Sequence, residues 1–225
     1  MSLVFDTLGP LEVRRSGRVL PVGPPQRRRL LIRLLIADGA PVARDDLLHD
    51  LWRGEPPGGA VASVHAHVSR LREVLGAEGI ARDAAGYRLL SAAGARSSVR
   101  YEISWKTARK LYAVGETAAA RGVIEAGLAG WRGAAYADAA AWPFARAAAA
   151  RLEEIRTAGA ELHVRILLAA GETALAVEAA RRLVVAHPVR ETAGELLIES
   201  LSRAGMPMAA LDQRNRMRAR LADLR

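Results

Sequence analysis

Residues 60–76, AVASVHAHVSRLREVLG, hold the pattern with the clearest chemical meaning in the chain. Val61, Val64, Val68, Leu71 and Leu75 step by three and four residues, so they share one helical face and are expected to be buried. At about 100° per residue the opposite face presents Ala62, Ala66, Ser69, Arg70 and Glu73, flanked by Ser63 and Arg72. Small side chains beside one arginine let a helix come close to base edges while keeping a bidentate donor for guanine. Arg72 has two readings at this level, a structural ion pair with Asp45 or Asp46 and a DNA contact.

Other reactive constellations fail on geometry. His65 and His67 form an H-x-H pair, but residues two apart on a helix point about 200° from each other, so one metal ion cannot bridge them. Glu153-Glu154 is an adjacent pair whose carboxyls do not converge on a substrate, and no His or Cys lies near it in sequence. The absence of cysteine excludes disulfides, thiolate chemistry and zinc-finger folds. No G-x-x-x-x-G-K-[ST] loop is present. Neither an enzyme nor a cofactor or metal site is expected.

The elements around the 60–76 helix support nucleic-acid recognition. Before it come an acidic helix opened by Asp45-Asp46, with Leu47, Leu48 and Leu51 on its apolar side, and the loop GEPPGG. After it comes ARDAAGYRLL, read as a hairpin whose return strand starts at Gly86-Tyr87. Helix, turn, basic helix and hairpin is the order of a winged helix-turn-helix. Upstream, Val4–Val13 alternates around Gly9-Pro10, and Arg18–Val22 follows the Ser16-Gly17 turn, giving two short antiparallel strands. Pro24-Pro25 opens a helix with Leu30, Leu31, Leu34 and Leu35 at helical spacing. Its first turn holds Arg27, Arg28 and Arg29, three cations that oppose the helix dipole. A phosphate backbone and an ordinary solvated face both account for them.

From Tyr101 onward the chain reads as helical and Ala-rich, and the small, polar stretch SAAGARSS (91–98) marks the boundary. AVGETAAA (113–120), AAGETALA (169–176) and AGMPMAAL (204–211) are copies of one motif. Gly171 and Gly205 lie 34 residues apart, the period of tetratricopeptide helix pairs. The first copy lies further upstream than one period, and the extra length holds WRGAAYADAAAWPFARAAAARLEEI, read as an insertion or extended helix. Trp131 and Trp142 within it are read as packing residues.

Composition is that of a packed protein, 51% hydrophobic and 25% charged. No apolar run of membrane-spanning length occurs, and the N-terminus has no secretory pattern, so a cytoplasmic protein is expected with no membrane partner. A net charge of +9 suits a polyanionic partner. The excess is spread evenly along the chain and is nearly all arginine, with Lys106 and Lys110 the only lysines.

Taken together, the chain resembles the bacterial SARP-type transcriptional activators, which join an OmpR-type winged helix to a bacterial transcriptional activator domain of tetratricopeptide-like helices. The residues that carry the likeness are HVSRLREVLG (67–76), GYRLL (86–90), LAGWRGAAYAD (128–138) and AHPVRETAGELLIESLSRAGMPMAALD (186–212). The resemblance implies an α+β N-terminal winged helix-turn-helix over 1–94, then an all-α tetratricopeptide-like repeat domain over 99–225. It implies activation by binding repeats in double-stranded promoter DNA, as a homodimer or larger array, and contact with RNA polymerase through Arg53–Gly59. By the same resemblance Arg70 reads bases and Trp52, Ser63, His67 and Tyr87 contact phosphates, with Ala66 and Ser69 on the base-facing surface. The wing has Asp83 where an arginine is common, and Arg82 or Arg88 is the compensating cation. A second reading stays open: a protein–protein adaptor that uses the repeat groove and keeps the winged helix only as scaffold.

Overall fold

The computed structural model describes residues 3–222. In chain order they form β1 (Leu3–Asp6), β2 (Glu12–Arg15), β3 (Arg18–Leu20), α1 (Pro25–Ile36), α2 (Arg44–Trp52), α3 (Ala60–Leu75), β4 (Ile80–Asp83) and β5 (Gly86–Leu89). The helices α4 (Ser97–Ala113), α5 (Thr117–Ala129), α6 (Pro143–Ala169), α7 (Thr173–Ala186), α8 (Glu191–Arg203) and α9 (Pro207–Ala222) follow. Two compact units result: the chain up to Tyr101 with Gly130–Glu153, and Glu102–Ala129 with the chain from Glu154 onward.

In the first unit, β1, β2 and β3 make an antiparallel sheet in which Phe5 opposes Val13 and Val13 opposes Leu20. The sequence pattern suggested two strands, and the structure has three. Residues 7–11 leave the ladder, and their backbone groups pair with a distant segment instead. Leu8 and Thr7 carbonyls accept from the Arg132 and Tyr136 amides at 2.7 and 2.8 Å, and the Leu11 amide donates to Asp138 Oδ2 at 2.6 Å. Most of the extra length noted in the sequence, up to Glu153, thus belongs to the N-terminal unit, and its later part opens the long α6.

Three helices and a hairpin enclose the rest of this core. Leu30, Leu31, Ile32, Leu34 and Leu35 of α1 are buried with Leu47 and Leu51 of α2 and with Val64, Val68, Leu71 and Leu75 of α3. Val61 is a correction to the sequence reading, since it is 38% exposed. It sits in the first turn of α3, about 60° around the helix from Val64, while Ala60 takes the buried position there.

In the second unit the three motif copies fold into one turn repeated three times, joining α4 to α5, α6 to α7 and α8 to α9. Gly115, Gly171 and Gly205 have φ of 85°, 77° and 73°, the left-handed conformation that favours glycine after a helix end. In each, the next amide reaches back across the turn: Glu116 to Leu111, Glu172 to Leu167 and Met206 to Leu201, all at 2.9 Å. Leu162 and Ile166 of α6 pack with Ala108 of α4 and Ile124 of α5. Val164, Leu167 and Leu168 of the same helix pack with α7, α8 and α9. The AHPVRE stretch braces this unit: Arg190 is paired with Glu154 at 2.8 Å and with Glu161, and His187 Nε2 lies 3.1 Å from Thr157 Oγ1. These two carboxylates push the Arg190 guanidinium pKa well above its usual value, the Glu154 hydrogen bond most of all.

Candidate nucleic-acid interface

The α3 helix has its buried Val/Leu stripe on one side and Ala62, Ala66, Ser69, Arg70 and Glu73 exposed on the other. Arg70 is engaged within its own helix: Nη1 donates to Glu73 Oε2 at 2.9 Å, one turn along, with the Arg70 side chain 63% exposed. An exposed i,i+3 pair of this kind is weak and is easily exchanged for another acceptor. Arg72 forms no ion pair with Asp45 or Asp46. Its Nε donates to the Ile80 carbonyl at 2.9 Å and ties α3 to β4. Ser63 Oγ donates to the Gly59 carbonyl at 3.3 Å.

His67 is half-buried, with Nε2 3.4 Å from Gln26 Oε1 of α1. Burial first, and the Arg27 charge second, lower its pKa below the ordinary histidine value. At neutral pH it therefore brings a hydrogen-bonding ring rather than a charge. Trp52, half-buried, ends α2 just before Arg53, which adopts a left-handed φ of 57°.

The wing is pinned beside α3 by its glycine. Gly86 has φ of 137°, and a Cβ there would fall 2.1 Å from the Val42 carbonyl oxygen. That close approach lets Val42 and Tyr87 exchange two backbone hydrogen bonds, at 2.8 and 2.9 Å. Tyr87 is only 3% exposed, so its ring belongs to the core, with the His65 ring edge-on at 6.5 Å. Arg82 stacks over that ring at 5.4 Å. Arg88 Nη2 donates to Asp83 Oδ2 at 2.6 Å, and Asp83 Oδ1 accepts the Ala85 amide at 2.9 Å. Asp83 therefore closes the wing turn and engages one of the two cations beside it.

Two of the arginines opening α1, Arg28 and Arg29, have partners far along the chain. Arg28 donates to both Asp138 oxygens and to the Leu11 carbonyl. Arg29 and Arg53 flank the Trp142 ring at 4.4 and 4.5 Å. Arg27 donates to the Val22 carbonyl at 3.4 Å. Asp138 and Trp142 lie far along the chain from α1, and no periodicity links them to it. The packing role read for Trp142 agrees with this arrangement, and Trp131 meets Tyr101 edge to face at 5.2 Å.

Comparison with known proteins fits this geometry. The family model of the bacterial transcriptional activator domain matches residues 98–224. The chain belongs to the bacterial transcriptional activator domain family. A second model, described as the C-terminal part of transcriptional regulatory proteins, matches residues 22–89. The regulatory protein AfsR of Streptomyces griseus is 33% identical over 93% of this chain and 22% of its own length. The transcriptional regulatory protein EmbR of Mycobacterium tuberculosis H37Rv is 30% identical over 98% of this chain and 58% of its own length. A solved structure of M. tuberculosis EmbR in complex with a low-affinity phosphopeptide superposes with a TM-score of 0.92, at 30% identity, over 98% of this chain and 60% of that one. The activator-domain chain thus spans only part of these relatives. Its fold is the one expected from the SARP-type resemblance: an OmpR-type winged helix-turn-helix followed by tetratricopeptide-like helices. Both relatives are named as regulatory proteins, and no helix among the described residues of this chain is long and apolar enough to cross a membrane.

Proposed function

We propose that this regulator binds double-stranded promoter DNA in a sequence-specific way and activates transcription. A winged-helix module over residues 1–94 reads the DNA, and an activator module over 99–225 follows it. The observation that carries this reading is the solvent face of α3. Small residues at Ala62, Ala66 and Ser69 surround Arg70, and a buried stripe opposite fixes their orientation. Arg70 reads a base; Ser63, His67 and Trp52 face the phosphates. Tyr87 holds the wing in place, and Arg82 and Arg88 bring cations to it. The molecule acts as a homodimer on promoter repeats, and the exposed loop Arg53–Gly59 faces RNA polymerase. This role needs no catalysis and no cofactor.

A mobility shift with promoter DNA across a salt series tests the reading. Wild type is expected to bind with a steep salt dependence. Arg70→Ala is expected to lose about 1–3 kcal/mol of discrimination at one base position. Equal weakening on promoter and random DNA would show that Arg70 does not read bases. Two observations favour a second reading, the adaptor with a winged-helix scaffold: Arg70 and Arg88 are both held by carboxylates of their own unit. No complex at low salt would favour that reading.

A further inference from the structure

The last three helices enclose a groove that the DNA-binding reading does not use. Its floor is Leu197 and Leu201 of α8, and its walls are Val184 and Val185 of α7 and Ala209 of α9. It holds a volume of about 390 Å³ and continues toward the α7–α8 turn past Val189 and Met217. Leu197 and Leu201 are buried, Val184 and Ala209 half-buried, and Val185 on the rim is 82% exposed.

Two features separate this groove from an ordinary seam between helices. Gln213 lines both of its parts and is only 7% exposed. The rim is also one-sided in charge. Arg181, Arg216 and Arg220 border its larger part against Asp212, and Glu191 lines the continuation beside Arg190 and Arg220. Arg214 and Arg218 extend the same sign along exposed α9. Cations suit the last turn of a helix, but Arg214 and Arg216 lie before it, so the dipole does not account for them.

We propose that the α7–α8–α9 groove is a docking site for an acidic amphipathic protein segment. Its apolar side chains would cover Val184, Leu197 and Leu201. Its backbone or an amide would hydrogen-bond to the Gln213 amide, and its carboxylates would pair with Arg181 and Arg216. A nucleic-acid backbone would meet the same arginines but leave the apolar floor and Gln213 uncovered. The groove therefore favours a peptide.

The probe is a fluorescein-labelled peptide of about 15 residues, with leucines at helical spacing and Asp or Glu elsewhere. Its companion carries Asn and Gln in place of the acids. Anisotropy is expected to rise saturably with the acidic peptide. Binding should weaken about tenfold with the neutral companion and with the double variant Arg181→Glu/Arg216→Glu. Val185→Asp, a change at an exposed position, should weaken it as well. Thermal midpoints check that the variants fold, and promoter binding measured alongside should be unchanged. The proposal fails if the acidic peptide gives no saturable rise, or if the double variant binds it as wild type does. It also fails if a single-stranded DNA of equal length displaces the peptide from wild type and itself loses binding in the double variant, since that result assigns the patch to nucleic acid.

Discussion

Arg28 on α1 and Asp138, 110 residues later, form a two-pronged ion pair. Arg28 Nε lies 2.6 Å from Oδ1 and Nη2 lies 3.1 Å from Oδ2, while the Leu11 amide shares Oδ2. This pair joins the helix-turn-helix side of the N-terminal unit to the segment that satisfies the break between β1 and β2.

Removing it should cost stability in a pH-dependent way. Burial pushes the Asp138 carboxyl up, but the Arg28 hydrogen bond, the Leu11 amide and the Arg28 charge together outweigh it and hold its pKa below the ordinary value. A carboxyl with a lowered folded-state pKa stabilises the fold fully above its unfolded value of about 3.9, and that contribution is lost as pH falls through the folded value. Asp138→Ala is expected to cost about 2 kcal/mol at pH 7, and Asp138→Asn less, because its oxygen still accepts from Leu11. Denaturant titrations at pH 7 and below pH 4 check both effects. The deficit of the variants should shrink at the lower pH, and a deficit that is the same at both would contradict the assignment.

If Arg70 reads a base as proposed, Glu73 competes with DNA for it. Glu73→Gln removes both the competitor and a like charge from the DNA-facing side, so promoter DNA should bind a few-fold more tightly. Stability should change by less than about 1 kcal/mol, as expected for an exposed pair. Weaker binding in a quantitative mobility shift would mean that Glu73 orients Arg70 instead of occupying it.

Asp83 can be separated into its two tasks. Asp83→Asn keeps an oxygen for the Ala85 amide and releases Arg88. If the wing lies against phosphates, affinity should increase and the slope of log K against log salt should steepen by about one. An unchanged slope would place the wing away from the backbone.

The repeat turns give a test that does not depend on DNA. A Cβ at Gly171 would meet nothing within 4 Å, so Gly171→Ala isolates the strain of its left-handed backbone. The expected cost is about 1–2 kcal/mol, lowering the melting temperature by roughly 2–8 °C. Gly171→Asn should cost less, because asparagine tolerates this conformation. A melting temperature equal to wild type for the Ala variant would rule out strain at this turn.

Much of this architecture was legible in local pattern. The stripe Val64, Val68, Leu71 and Leu75 set the buried face of α3, and hence the exposure of Ala66, Ser69 and Arg70. The three Gly motifs marked three helix junctions, because a left-handed residue after a helix end has a strong composition signal. These features depend on residues within one or two turns of each other, and such spacing can be read from a linear sequence. Val61 was misread for a related reason: periodicity gives a direction around a helix but not where the cover of neighbouring elements ends.

Tertiary structure alone decided the partners. The arginines of α1 read equally well as phosphate contacts or as a solvated face, yet Asp138 and Trp142 engage Arg28 and Arg29. Tyr87 looked like a surface hydroxyl, yet Gly86 draws it into the core against Val42. A side chain's charge is written in the sequence, but whether that charge is spent inside the fold depends on which distant groups the chain brings within hydrogen-bond reach.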